Sequence, residues 1–165
     1  MSAVPDPRST AASDGDRIVR SVTIRAPRER VWRALSDPGE FGAWFGVALT
    51  GQRFEPGARV RGAFTHTGCE NLWFSAVIDR MEPPRLFSYR WHPYAVDASA
   101  DYTAEEPTLV TFTLEEAPGP ATLLTVVESG FDRVPPERRV EAFRMNTRGW
   151  EMQLENVVRH VEAGA

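Results

Sequence analysis

The sequence predicts an α+β domain: a curved antiparallel sheet of six to seven strands, two short helices after the first strand, and a long amphipathic helix at the C-terminus. Three observations carry this expectation. Short apolar alternations recur through the middle of the chain, separated by turns rich in Pro and Gly. One helical signal follows the first alternation, and a much longer one closes the chain. Strands grouped between helices, rather than alternating with them, argue for α+β over a parallel α/β sheet.

Ile18, Val19, Val22 and Ile24 form the first alternating run, which ends at Ala26. Pro27 then suits a helix start, because its fixed φ is already helical. Val31, Trp32 and Leu35 supply one apolar side, and a second helical piece covers residues 40–45. Gly51, Pro56 and Gly57 mark an irregular stretch before the sheet resumes. Residues 59–65 alternate with Val60, Gly62 and Phe64 on one side, and Thr67-Gly68 reads as a turn. Residues 71–80 are nearly continuously apolar, as in a strand at the sheet centre. Glu82-Pro83-Pro84 breaks that run, after which Phe87, Tyr89 and Trp91 alternate. Residues 92–107 have no period and read as a long loop, a kind of segment that often carries function. Val110, Phe112 and Leu114 share a face of the next strand, and Pro118-Gly119-Pro120 turns the chain into its partner at residues 121–129. Gly130 and Pro135-Pro136 precede the last helix, expected over residues 137–161 with Val140, Phe143, Trp150, Leu154, Val157 and Val161 as its apolar face.

A chain of 165 residues fits one domain with a substantial core. The expected division is a disordered tail over residues 1–16, which has no apolar h-region, and a folded domain over 17–162. The net charge of −4 disfavours nucleic acid as a partner, and no apolar run is long enough to insert across a membrane. A single cysteine, Cys69, permits no internal disulfide and favours a cytoplasmic location. All 19 basic residues are arginine, so Schiff-base chemistry and a lysine-bearing phosphate loop are excluded. No Gly-rich nucleotide loop or metal-binding helix motif is present, so the expected cofactor and metal are none.

One long helix covers only part of a curved sheet, so a cavity is expected between the two. The candidate lining is Trp44, Phe64, Phe74, Tyr89, Trp91, Phe112, Phe131 and Trp150, whose broad surfaces suit an apolar, aromatic or lipid-like small molecule. Glu128 ends an apolar strand. If it points inward, burial raises its pKa and makes it an acid, base or ligand partner. Arg61, Arg90 and Arg144 are candidate partners for it, or for a ligand carboxylate; the bland alternatives for Glu128 are an ordinary structural ion pair and a solvent-facing strand residue. His92 opens the long loop at the expected cavity mouth, and with Glu128 is the weak catalytic candidate. His66-x-x-Cys69-Glu70 lacks the convergent ligands that zinc needs. His160 reads as a dipole partner at a helix C-terminus, and Arg133, Arg138, Arg139, Arg144 and Arg148 as part of a mixed solvated face.

Four ordered stretches resemble one known family. They are residues 26–35 (Ala-Pro-Arg-Glu-Arg-Val-Trp-Arg-Ala-Leu), residues 79–91 ending in Tyr89-Arg90-Trp91, residues 125–131 with Glu128-Ser129-Gly130-Phe131, and Gly149-Trp150-x-x-x-Leu154. Together they resemble the bacterial AHSA1-like proteins, relatives of the C-terminal domain of the Hsp90 ATPase activator, within the START-like or SRPBCC superfamily. The resemblance implies the helix-grip fold, also called Bet v 1-like, and a cavity under the last helix. It leaves function open among three readings: a small-molecule binding protein, a polyketide cyclase or aromatase-like enzyme, and a chaperone-regulating interaction module. A homodimer through a sheet edge or the long loop is possible on any of them.

Overall fold

The computed structural model describes residues 16–66, 72–95 and 100–164. Its elements run β1 (Arg17–Ile24), α1 (Arg28–Ser36), α2 (Pro38–Phe45), β2 (Arg59–Ala63), β3 (Trp73–Glu82), β4 (Leu86–Trp91), β5 (Thr108–Ala117), β6 (Ala121–Ser129), a 3₁₀ turn at Phe131–Arg133, and α3 (Pro136–Ala163). The six strands form one antiparallel sheet in the order β1-β6-β5-β4-β3-β2. This is the helix-grip arrangement, with α3 packed across the sheet and α1 and α2 at one end. Residues 1–15, expected as a tail, lie outside the described residues, as do Cys69 and Glu70.

Local chemistry sets the boundaries. Pro27 caps α1 with an extended backbone (φ −64°, ψ 154°) instead of forming its first residue. Asp37 ends α1 and caps α2: its Oδ2 accepts from the Glu40 amide at 2.9 Å, and Pro38 then fills the first helical position. α2 therefore begins two residues earlier than the apolar pattern alone predicts.

On α3, Ala142, Trp150, Leu154, Val157 and Val161 are buried, but Val140 is 76% exposed. The expected apolar face is thus wrong at its first position. Arg138 and Ala142, four residues apart, share the covered side at the start of the helix; Val140 is two residues from each, about 200° round the axis, and faces water. Phe143 packs edge-on against Phe131 at 5.2 Å.

Gln52 and its neighbours cover the outer edge of β2. Ala48 N–H donates to Ala63 O at 2.9 Å, and the Gln52 amide bonds both the carbonyl and the N–H of Arg61, at 2.8 and 3.3 Å. A Cβ on Gly62 would lie 2.2 Å from Ala48 O, so this close approach requires glycine.

A second junction joins the three helices. Glu40 accepts from Arg30 Nη1 at 2.9 Å and Arg33 Nε at 2.8 Å, and pairs with His160 Nε2 at 2.9 Å. His160 is therefore a cross-helix partner rather than only a dipole partner. No helix among the described residues is long and apolar enough to cross a membrane.

Candidate functional site

A cavity of about 640 Å³ lies between α3, the β2–β4 end of the sheet and the segment after β4. Strand alternation sets its inner wall. Phe74 on β3 and Trp91 on β4 face the core, and Phe64 follows β2. Across from them α3 offers Asn146, Gly149, Trp150 and Gln153, spaced at three and four residues and so on one side of the helix. Phe45 from α2 closes one end, and His92 with residues 100–103 closes another. Trp91 and Trp150 stand 5.9 Å apart with their planes tilted by 38°, and Phe45 lies 6.0 and 6.1 Å from them.

Glu128 organises this wall from behind. It sits on β6 opposite Val110, turned to the core and fully buried. Its Oε1 accepts from Trp150 Nε1 at 2.8 Å and Asn146 Nδ2 at 2.9 Å. Its Oε2 accepts from Thr108 Oγ1 at 2.6 Å and Trp91 Nε1 at 2.7 Å. Burial pushes this carboxyl above its ordinary range, against the pull of the four donors. Each oxygen already holds two donors, which fills the acceptor capacity of a carboxylate. The two indole N–H groups are thereby turned away from the cavity, which meets ring surface instead. Tyr89, in the next layer, is buried with a hydroxyl that lacks a partner among the described residues. Burial, and then the nearby Glu128 charge, push its pKa well up.

The candidate residues thus divide by position. Phe64, Phe74, Trp91, His92 and Trp150 line the cavity. Tyr89 and Phe112 stand behind the wall, at 5.5 Å from Trp91 and 5.7 Å from Trp150 respectively. Trp44 instead joins α2 to α1 by donating from Nε1 to Ala34 O at 2.8 Å. Phe131 packs against Phe143, outside the lining. Arg144 faces water and pairs with Glu141 at 3.2 Å, because it lies two residues from Asn146 and so round the far side of α3. The expected arginine partners of Glu128 are replaced by four neutral donors. Among the described residues no cluster of three or more His, Cys, Asp or Glu side chains could hold a metal.

Two positions of the candidate site escape the sequence reading. Asn146 sits four residues before Trp150 in an apolar stripe, and a polar residue there was the available signal. Arg138 gave no signal. Expected on a solvated face, it is instead tucked under the segment after β4: Nε and Nη2 bond the Glu105 carboxylate at 2.7–3.1 Å, and Nη1 donates to Pro93 O at 2.8 Å and Tyr94 O at 3.2 Å. The Tyr102 ring lies 4.8 Å from the same guanidinium. His92 Nε2 donates to Glu105 O at 2.9 Å, which places its ring proton on that nitrogen.

Fold and site together define a helix-grip domain with an aromatic cavity under its last helix. Residues 25–162 match the family model described as Activator of Hsp90 ATPase homolog 1-like protein, and the chain belongs to that family. Among solved structures, it is similar to protein MLL2253 from Mesorhizobium loti (24% identity, TM-score 0.67, covering 90% of this chain and 98% of that one). A protein from Arthrobacter aurescens gives 16% identity and a TM-score of 0.69, over 90% of this chain and 87% of the other. DynU16, a protein of the dynemicin biosynthetic locus, gives 25% identity and a TM-score of 0.65 over 90% of this chain, which spans 48% of that one. No curated protein matches the chain.

Proposed function

We propose that the protein binds an apolar or aromatic small molecule between its sheet and its C-terminal helix. The observation that carries this reading is the cavity wall: Phe45, Phe74, Trp91 and Trp150 present ring surface to a space of about 640 Å³, and Glu128 withdraws both indole N–H groups from it. A concave site lined by aromatic side chains, with polar groups that fix orientation, is the usual form of a small-molecule site, and Arg61, His92, Asn146 and Gln153 supply polar groups here. Native mass spectrometry of the purified protein, compared with its denatured mass, tests the reading. A reproducible extra mass released on denaturation supports it. A bare mass, joined with no change in melting temperature across a panel of aromatic and acyl ligands, overturns it.

A cyclase-like enzyme on the same cavity is the second reading, and His92 on the cavity lining is the observation behind it. Here His92 is the better proton carrier, since it lines the cavity while every acceptor position of Glu128 is filled. The interaction-module reading rests on the family description alone. A cytoplasmic location and a homodimer belong to the proposal too. The dimer would form at the β1 edge or the segment after β4, because the β2 edge is already covered. Light scattering on the purified chain decides between monomer and dimer.

A further inference from the structure

Arg61 lies on β2 opposite Ser75 of β3. Val60, Gly62 and Phe74 turn to the core, so Arg61, Trp73 and Ser75 stand on the other face of the sheet. The pairing of β3 with β4 begins at Ala76, opposite Trp91, and leaves Trp73–Ser75 running past the end of β4. The cavity extends round this unpaired end: Phe74 and Trp91 line it from the inner face, and Arg61, Trp73 and Ser75 from the outer. Its mouth therefore carries a cation where its interior carries rings.

Two further observations concern that cation. The Arg61 guanidinium lies 4.2 Å from the centroid of the Trp73 ring. The hydrogen bonds of Arg61 run through its main-chain N–H and carbonyl to Gln52, and among the described residues its guanidinium N–H groups donate to no partner, which leaves them for a two-pronged bond. Among the described residues, no carboxylate comes within ion-pair distance of Arg61; Arg59, Arg90 and Arg148 share that state, but they lie outside the cavity lining. Arg61 is also the sole arginine among the described lining residues. The acidic residue among the described lining residues is Asp101, which uses a carboxylate oxygen on its own turn, accepting from Thr103 Oγ1 at 2.6 Å and Thr103 N at 3.0 Å.

We infer that the ligand is an amphipathic aromatic carboxylate, its ring system against Trp91 and Trp150 and its carboxylate in the fork of Arg61 at the mouth. This rests on the reading of the cavity as a binding site. A planar guanidinium edge and a planar carboxylate match in two parallel bonds, which an alcohol cannot form.

Calorimetric titration of the full chain with 2-naphthoate and with uncharged 2-naphthalenemethanol, at low salt and about pH 7.5 where a carboxylic acid is ionised, tests the inference. The expected result is about ten-fold tighter binding of the acid. Arg61→Gln, an exposed change, should erase that preference by weakening the acid and leaving the alcohol unchanged. Equal affinity of the two probes for the native protein overturns the anion site, as does a preference that survives Arg61→Gln; both outcomes leave the cavity reading standing. Failure of both probes to bind counts against the cavity itself, and the anion site falls with it.

Discussion

Glu128 shows how one side chain can be fully buried, charged or not, without being free to react. Two indole N–H groups, one on each carboxylate oxygen, can only donate. In Glu128→Gln the new amide nitrogen must face one of them, whichever way the amide turns, so one buried N–H loses its acceptor. The expected loss is about 2–4 kcal/mol in chemical denaturation, with a change in tryptophan emission. Loss of function without loss of stability would instead return Glu128 to the catalytic candidates. The sequence made Glu128 visible as a polar residue ending an apolar strand. It did not show the partners, because Trp91, Thr108, Asn146 and Trp150 come from three different elements and meet only through the register of β4, β5 and β6. Arg144 illustrates the converse: its charge was plain in the sequence, but two residues' distance from Asn146 puts it on the wrong side of the helix.

At the scale of elements, the three helices meet at Glu40. Burial acts to raise this carboxyl, yet the bonds from His160, Arg30 and Arg33 outweigh it and hold the pKa at about 2. A carboxyl held lower in the fold than in the unfolded chain adds stability above its unfolded pKa, and that stability disappears as pH falls towards about 2. Glu40→Gln should therefore cost about 1–2 kcal/mol near neutrality, after allowing for solvent screening, and should flatten the acid side of the stability–pH curve. Urea denaturation between about pH 7 and pH 3 reads both effects. Trp150→Ala should cost about 3–5 kcal/mol, since it opens a void in the core and removes one of the two donors to Glu128 Oε1. Gly62→Ala should cost about 1–3 kcal/mol by forcing the strand away from Ala48, with a lowered melting temperature as the readout. The elements themselves were largely legible, because periods of two and of 3.6 residues are local signals. The boundary of α2 and the exposure of Val140 were less so: one depends on a cap, the other on what a distant loop covers.

For the whole molecule, the six-stranded sheet and its grip on α3 followed from the order of the signals and from the family signatures. A cavity under α3 followed as well, but the end of the sheet at which it lies did not. It depends on β3 outrunning β4 and on Arg138 holding the chain after β4, and neither has a sequence signature. The Arg138 guanidinium ties Pro93 and Tyr94, at one end of that segment, to Glu105 at the other. If the proposed ligand enters past this segment, such a clasp would separate how fast it is exchanged from how tightly it is held. Arg138→Gln should speed capture and release by similar factors in stopped-flow mixing while leaving the equilibrium constant nearly unchanged. A large change in affinity would show that the clasp shapes the bound state as well. On the binding proposed above, that arginine would act as a latch, and the residence time of a ligand would be tuned there without altering a single ring of the wall.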